Sequence, residues 1–204
     1  MSWHPLRRLT GWIDRRHGTW RGAVRSLLAR LALAAGRLEP YQLRHPQRVR
    51  RVVFVCLGNI CRSAFAQQVA IRLDMATASL GLSTTTGAST PDSALRAARR
   101  QGYDLTAHRA INLSDFEVRP GDLFLVMELW QARALRHRFG ARDDVEVALL
   151  GLWCTPRQPH LHDPFTLSDA YFDQCFCSLR EAVFALQRVV PQAGRGPQTA
   201  GARR

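Results

Sequence analysis

The sequence feature that most constrains the fold is a short apolar run, Arg51-Val-Val-Phe-Val-Cys56, that ends in a glycine-bearing turn. Apolar β-branched runs of this length are typical of parallel strands that are buried on both faces of a sheet. A helical pattern begins at Ser63, directly after the turn. Because parallel strands are joined by helical crossovers, a strand, a turn and a helix in this order predict an α/β domain.

The alternation of strand and helix patterns continues through residues 50–190, which we assign to one domain. The predicted fold is α/β and three-layered, with a four-stranded parallel sheet and helices on both of its faces. After the first strand we predict strands at residues 82–86, 122–127 and 145–149, and helices at residues 63–78, 93–101, 128–138 and 168–190.

The basic charge of the chain lies in its two ends. The formal net charge is +13, but residues 1–50 contain eleven arginines against two acidic residues, and residues 191–204 contain three arginines and no acidic residue. A basic groove within the domain is therefore not supported, and we expect no specific nucleic-acid partner. All 29 basic residues are arginine, a bias that suggests a bacterial protein. The tail at residues 191–204 is rich in Gly, Pro and Gln and is predicted to be disordered.

The first 49 residues form a basic N-terminal extension with an amphipathic helical pattern. Its apolar stretch at residues 23–38 contains three arginines and is too short to cross a bilayer. Two placements stay open: the extension packs on the domain, or residues 1–40 lie on an anionic membrane surface or a partner. The residues that form this pattern are Trp3, Trp12 and Trp20, the apolar face Val24, Leu27, Leu28, Leu31 and Leu38, and the flanking Arg21, Arg25, Arg30 and Arg37.

Residues 56–63, Cys-Leu-Gly-Asn-Ile-Cys-Arg-Ser, follow the first predicted strand at its carboxyl end, where open parallel sheets bind their ligands. Backbone N–H groups of this turn and of the helix start make a site for a phosphate-sized anion. Glycine lets the backbone curl, and asparagine is the non-glycine residue most tolerant of a left-handed conformation. The predicted phosphate-binding residues are Leu57, Gly58, Asn59, Ile60, Cys61, Arg62 and Ser63.

Cys56 is predicted to be an activated nucleophile, because the helix dipole, the N–H donors and the Arg62 guanidinium all favour its thiolate. Arg62 offers a planar fork that can hold two phosphoryl oxygens and stabilise the charge that develops during transfer. Ser63 can donate a hydrogen bond to the sulfur. A Cys-x5-Arg-Ser sequence directly after an apolar strand therefore predicts chemistry on a phosphate group.

The string Val-Cys-Leu-Gly-Asn-Ile-Cys-Arg-Ser resembles the signature of the low-molecular-weight protein tyrosine phosphatases. Three later blocks are similar to that family: residues 102–110, which include His108-Arg109-Ala110, residues 122–127, and Asp163-Pro164-Phe165. The resemblance covers about residues 50–190 and excludes both ends.

The resemblance implies a two-step hydrolysis of phosphotyrosine that requires no metal or cofactor. Cys56 attacks phosphorus while Asp163 protonates the leaving phenolate, and Asp163 then activates the water that hydrolyses the cysteinyl phosphate. Arg62 is the third catalytic residue and clamps the phosphate. Phe165 is expected to line the slot for the aromatic ring, and three residues are expected to support the phosphate loop: Asn59, Ser63 and His108.

The remaining cysteine of the loop, Cys61, has two open interpretations. It can form a reversible disulfide with Cys56 that shields the nucleophile from over-oxidation, as in many family members, or it can be a small side chain that fills the loop. The five cysteines of the chain show no paired CxxC spacing. Free thiols of this kind fit the reducing cytoplasm, with membrane association through residues 1–40 left open.

The implied partner is a tyrosine-phosphorylated protein, and bacterial relatives often act on a membrane tyrosine kinase of exopolysaccharide synthesis. Ile60 stands where the arginine-phosphate branch of the family has threonine, which favours phosphotyrosine over phosphoarginine. The chain departs from the family at Ala64, where proline is usual, and after Ala88, where an aromatic wall is missing. Two alternatives remain: an arsenate reductase-like oxyanion reductase, whose additional resolving thiols residues 62–153 lack, and a non-catalytic phosphate-binding module.

Overall fold

The computed structural model describes residues 4–190 and 193, with side chains from residue 11 onward. The helices are α1 (His4–His17), α2 (Trp20–Ala34), α3 (Arg62–Arg72), α4 (Asp92–Arg100), α5 (Leu129–Phe139) and α6 (Asp169–Gln187). The strands are β1 (Arg51–Cys56), β2 (Thr77–Gly81), β3 (Asp122–Val126) and β4 (Glu146–Leu149), and short 3-10 helices lie at Glu39–Tyr41, Pro46–Arg48, Leu113–Asp115 and Leu150–Trp153. No helix in this part of the chain is long and apolar enough to cross a membrane.

The four strands form one parallel sheet in the order β2-β1-β3-β4. The central strand is β1, in which Val52 lies opposite Thr77 on one side and Leu123 on the other. Every residue of β1 after Arg51 is buried, as a strand covered on both faces requires. The predicted three-layer α/β fold with a four-stranded parallel sheet is therefore confirmed.

Two apolar layers cover the two faces of the sheet, because successive side chains of a strand point to opposite faces. Phe54 contributes to the layer that contains α3 and α6, in which Phe65 stacks on Phe176 with ring centroids 4.1 Å apart. Val53 contributes to the opposite layer, which contains residues of α5 and Leu38 of the N-terminal segment. The N-terminal segment thus supplies part of the core.

The second strand and the preceding helix differ from their predicted bounds. The prediction of a strand at residues 82–86 is wrong, because β2 is Thr77–Gly81, and α3 ends at Arg72 rather than near residue 78. Asp74 adopts a left-handed conformation (φ 54°) that stops the helix. Consecutive threonines favour a strand locally, but Thr86 Oγ1 accepts a hydrogen bond from Asn112 N (2.9 Å) in a loop. Pairing with β1 therefore overrides local propensity.

The N-terminal segment packs on the domain, but the prediction that Leu38 shares one apolar face with Val24, Leu27, Leu28 and Leu31 is wrong. α2 ends at Ala34, so Leu38 follows a turn and is buried against the sheet layer. The residue of α2 that is buried against the domain is Gly22. The other four members of the predicted face have 46–58% of their surface exposed: Val24, Leu27, Leu28 and Leu31.

Parts of the predictions fall outside the described residues. These are Trp3 and the tail at residues 191–204, apart from Ala193. Ala193 is buried, and its carbonyl accepts a hydrogen bond from the backbone N–H of Ala76. The division of the chain into residues 1–49, 50–190 and 191–204 stays a prediction.

Candidate active site

The candidate site lies at the carboxyl end of β1, where the connections of the sheet change direction. Within the sheet, β2 lies next to β1 on one side, and the chain then crosses to β3, which lies next to β1 on the other side. Such a switch point leaves a crevice beyond the strand ends. Residues 57–61 lie directly after β1, and α3 begins at Arg62, so the N-terminal end of a helix faces the same crevice.

Cys56 is the last residue of β1 and is 3% exposed. Its Sγ accepts a hydrogen bond from the backbone N–H of Asn59 (3.2 Å) and lies 3.1 Å from Ser63 Oγ. Among the described residues, no backbone carbonyl accepts a hydrogen bond from the N–H groups of residues 57, 58 and 60–62. Unpaired N–H groups around a sulfur form the kind of concave site that binds an oxyanion.

Asn59 organises the phosphate loop, residues 56–63, from its centre. Its backbone is left-handed (φ 53°), which confirms the prediction for this position. Its Oδ1 accepts from the backbone N–H of Ile111 (2.9 Å), which turns Nδ2 towards Ser63 Oγ and Ser79 Oγ, both at 2.8 Å. Because Ser63 Oγ accepts from Asn59, its own proton is available for Cys56 Sγ.

The outer side of the phosphate loop rests on His108 and β2. His108 Nε2 donates to Asn59 O (2.7 Å). Burial is the main cause that lowers the pKa of His108, which favours the neutral ring. A Cβ on Gly81 would lie 2.8 Å from Leu57 O, whereas one on Gly58 would meet Ile60 at an ordinary 3.4 Å. The close backbone approach therefore requires glycine at the end of β2 rather than at Gly58.

Arg62 is 1% exposed, and its guanidinium joins two parts of the site. Nη1 donates to Glu128 Oε1 (2.7 Å) and to Leu161 O (2.8 Å), and Nη2 donates to Asp163 Oδ2 (2.6 Å). Burial by itself would lower the pKa of Arg62, but Asp163, Cys56 and Glu128 together raise it by more, so the side chain stays a cation. Its Nε has no hydrogen-bond partner within the described part of the chain and remains a donor.

Asp163 lies on the acid loop, which we define as residues 158–168, between β4 and α6. Its side chain is 36% exposed. Oδ1 accepts from Phe165 N (3.2 Å), and Leu167 N donates to Pro164 O (2.9 Å), which tightens the turn. Phe165 is half-exposed next to this carboxylate. The structure thus brings Asp163 to Arg62 from a position 101 residues away in the sequence.

Sequence reasoning missed three side chains of this site. Glu128, which follows β3, holds Arg62, and Trp130 Nε1 donates to its second oxygen (3.1 Å). His160 Nδ1 lies 3.8 Å from that same oxygen. An available signal was the position of Glu128 at the carboxyl end of the strand next to β1, where site residues collect.

Cys61 is buried directly beside the helix start and is a free thiol. Burial, with smaller effects of Asp163 and Cys56, raises the pKa of Cys61 well above its ordinary value. Its redox role stays a prediction. Within the described residues no group of three or more His, Cys, Asp or Glu side chains is arranged to hold a metal ion.

A family model described as low molecular weight phosphotyrosine protein phosphatase matches residues 51–194. A similar curated protein is the probable low molecular weight protein-tyrosine-phosphatase EpsP of Ralstonia nicotianae. The two are 30% identical over 145 residues, which cover 70% of this chain and 92% of EpsP.

Solved structures of tyrosine phosphatases are similar to the same part of the chain. The tyrosine phosphatase AmsI of Erwinia amylovora is 26% identical with a TM-score of 0.58, over 69% of this chain and 92% of AmsI. The tyrosine phosphatase Wzb of Escherichia coli K30, solved in complex with sulphate, is 26% identical with a TM-score of 0.56, over 67% of this chain and 94% of Wzb.

Proposed function

Because the chain belongs to the low molecular weight phosphotyrosine protein phosphatase family, we propose that Cys56, Arg62 and Asp163 together hydrolyse the phosphate ester of phosphotyrosine. The observation that carries this assignment is the 2.6 Å contact between Arg62 Nη2 and Asp163 Oδ2. Arg62 belongs to the same loop as the candidate nucleophile. One guanidinium therefore joins the nucleophile side and the acid side, as an in-line transfer of a phosphoryl group requires.

In the first step the Cys56 sulfur forms a bond to phosphorus and the bond between phosphorus and the tyrosyl oxygen breaks. Asp163, as a carboxylic acid, transfers its proton to that oxygen, so that a phenol leaves rather than a phenolate. The unpaired loop N–H groups and the Arg62 fork hold the three remaining phosphoryl oxygens. Ser63 Oγ lies 3.1 Å from the sulfur and supports it as a thiolate.

In the second step water attacks the cysteinyl phosphate. Asp163, now a carboxylate, accepts a proton from this water, the bond between sulfur and phosphorus breaks, and inorganic phosphate leaves. The Cys56 thiolate is regenerated. The hydrogen bond from Ser63 lowers the cost of that departure, because it stabilises the developing negative charge on sulfur.

Asp163 and the phosphoryl group use the same donor of Arg62 in turn. Without substrate, Nη2 is paired with Asp163 Oδ2, while Nε is unpaired. A bound phosphoryl group accepts from Nε and Nη2 together and so releases the Asp163 carboxyl group from Arg62. Asp163 then takes up a proton from solvent and donates it to the leaving oxygen. Glu128 keeps the guanidinium in place through Nη1 during this exchange.

The test is metal-free hydrolysis of p-nitrophenyl phosphate and of phosphotyrosine peptides. Cys56→Ser should lower turnover by about 10⁴-fold or more, and Asp163→Asn should lower kcat/KM by about 10²–10⁴-fold. Asp169→Asn is the matched control, because Asp169 lies at the exposed start of α6. Turnover that survives Cys56→Ser would contradict the assignment.

Two further assays distinguish phosphotyrosine hydrolysis from phosphoarginine hydrolysis and from oxyanion reduction. Phosphoserine and phosphoarginine peptides should be poor substrates, and equal turnover of phosphoarginine would overturn the preference for phosphotyrosine. Arsenate with a thiol reductant tests oxyanion reduction, since arsenate-dependent oxidation of the reductant without aryl phosphate turnover would favour the reductase.

The partner that we propose is a tyrosine-phosphorylated protein at a membrane, such as a bacterial tyrosine kinase of exopolysaccharide synthesis. Support comes from the outer face of α2, where Trp20 is 64% exposed beside the apolar residues Val24, Leu27, Leu28 and Leu31. Contiguous exposed apolar side chains flanked by arginines fit an anionic lipid surface, where the apolar side chains enter and the arginines meet headgroups.

Sedimentation with anionic and with neutral lipid vesicles tests this surface. The full chain should sediment with phosphatidylglycerol vesicles, and the double variant Leu27→Glu/Leu28→Glu should stay in the supernatant. Phe184→Glu is the control, because Phe184 is an exposed apolar residue of α6. Equal sedimentation of all three proteins would contradict the proposed contact.

A further inference from the structure

The start of α2 contacts the acid loop, which carries Asp163. Thr19 precedes α2 as its N-cap, and its Oγ1 accepts a hydrogen bond from Gly22 N (2.9 Å). The same oxygen lies 3.3 Å from Nε2 of His162, the residue directly before Asp163. Because a hydroxyl accepts and donates at once, Thr19 can cap the helix and hold His162 together.

The contact is close enough that two positions have no space for a side chain. A Cβ on Gly22 would lie 2.9 Å from Cδ2 of His162 and 2.2 Å from His17 O. A Cβ on Gly18, which also has a positive φ of 72°, would lie 2.6 Å from Leu167 and 2.8 Å from Tyr171. The turn between α1 and α2 therefore fits against the acid loop and the first turn of α6.

His162 is held from the domain side as well. Tyr171 Oη donates to His162 O (3.2 Å), and the His162 ring stacks near His160 with centroids 5.7 Å apart. Burial is the main cause that lowers the pKa of His162, which favours the neutral ring beside Thr19. The ring is thus fixed between the N-terminal segment and α6.

We infer that the turn at residues 17–22 is a positioning element for the general acid: it fixes His162 and thereby the direction of the Asp163 carboxylate. This inference rests on the proposed role of Asp163. Thr19, Gly22 and His162 do not touch the reacting atoms. They act through the backbone of the acid loop, and an error of about 1 Å in such a loop can cost up to about 10²-fold in rate.

The test compares a poor and a good leaving group, because only the poor one needs the acid strongly. Thr19→Val and Gly22→Ala should lower kcat/KM for phenyl phosphate about tenfold and that for p-nitrophenyl phosphate about threefold or less. Thr19→Ser keeps the hydroxyl and should restore the wild-type ratio. Gly11→Ala is the matched control, because a Cβ on Gly11 meets nothing within 4 Å.

A double-mutant cycle adds a second readout. Thr19→Val should have little further effect on the ratio in a His162→Ala background, since the contact is already lost. Equal losses for both substrates in Thr19→Val and Gly22→Ala would overturn the inference, because they would indicate general destabilisation. Asp163→Asn separates the two proposals through the ratio of kcat/KM for the two substrates. If Asp163→Asn leaves this ratio unchanged, the proposed role of Asp163 fails. If Asp163→Asn changes the ratio but Thr19→Val and Gly22→Ala do not, only the positioning element is rejected.

Discussion

The phosphate loop and the acid loop meet at Arg62 but differ in how much of their hydrogen bonding is local in the sequence. In the phosphate loop, Cys56, Asn59 and Ser63 bond to one another within eight residues of sequence. In the acid loop, Asp163 pairs with Arg62, which lies 101 residues away, and the ring of the preceding His162 contacts Thr19, which lies 143 residues away. The inner hydrogen bonds of the phosphate loop are therefore local, with further support from His108 and Ile111, whereas the joining of the acid loop to the site depends on distant residues.

The two loops also differ in burial. Cys56, Asn59 and Ser63 are almost completely inaccessible, whereas Asp163 is 36% exposed. A buried polar network loses most when one partner is removed, because the remaining groups keep no solvent to bond with. An exposed carboxylate can instead change its partner, as the proposed exchange with the phosphoryl group requires.

Apart from the loss of Cys56 or Asp163 themselves, the largest effect is expected where the two loops join. Arg62→Lys keeps the charge but cannot bond to Glu128, Leu161 and Asp163 together, so kcat should fall by about 10²–10³-fold. The matched control is Arg51→Lys at the other end of β1, where Arg51 pairs with Asp122. That variant should change kcat by less than about twofold, and a loss as large as that of Arg62→Lys would contradict the assignment.

The next prediction concerns how the histidines of the two loops change the free energy of unfolding at acid pH. Burial lowers the pKa of His160, in the acid loop, to about 4, against about 6.5 in the unfolded chain. Between these values the unfolded chain binds more protons, so this contribution to stability is complete above about pH 6.5 and is lost as the pH falls towards about 4. The loss amounts to about 3 kcal/mol in the free energy of unfolding.

Urea unfolding at a series of pH values checks this. His160→Gln should flatten the pH dependence, because it removes the titrating ring. His108→Gln, on the phosphate loop side, should flatten it less, since the hydrogen bond of His108 to Asn59 O opposes the effect of burial on its pKa. An unchanged pH dependence in His160→Gln would show that other groups cause the acid sensitivity.

A third variant tests whether the phosphate loop acts independently of the acid loop. Asn59→Gly keeps the left-handed backbone but removes the amide, so kcat/KM should fall about 10–100-fold. In Asn59→Gly, kcat/KM should fall equally for phenyl phosphate and p-nitrophenyl phosphate, whereas in Asp163→Asn it should fall more for phenyl phosphate. Asp74→Gly is the matched control, because Asp74 has nearly the same φ (54°) after α3. A larger fall of kcat/KM for phenyl phosphate than for p-nitrophenyl phosphate in Asn59→Gly would contradict the independence of the two loops.

The smallest effect is expected at the exposed edge of the acid loop. Phe165→Ala keeps the backbone N–H that bonds Asp163 but removes the ring, so KM for aryl phosphates should rise about 2–10-fold. The inhibition constant of inorganic phosphate should stay unchanged, because phosphate has no ring to bind. Phe184→Ala, a variant of an exposed phenylalanine on α6, should change neither value. A weaker affinity for phosphate itself would contradict a slot role for Phe165.

Local patterns determined the parts of this protein in which neighbouring residues bond to one another. The apolar run of β1, the turn after it and the left-handed Asn59 were predicted from residues 51–63 alone, because strand periodicity and the backbone preference of asparagine are local properties. The later motif around Asp163 was found only through the family resemblance. Nothing in its local sequence specifies that Arg62 is its partner.

Only the tertiary structure decided which segment pairs with β1 as a strand and which face of α2 is covered by the domain. Local propensity favoured residues 82–86 as a strand, but pairing with β1 selected Thr77–Gly81. Periodicity identified the apolar face of α2, yet it could not tell whether that face is covered. In the folded chain Gly22 packs against His162 of the acid loop, where a Cβ would lie 2.9 Å from the ring, and Leu27, Leu28 and Leu31 remain exposed. Which side of a helix is covered depends on contacts with residues far away in the sequence, which periodicity does not reveal.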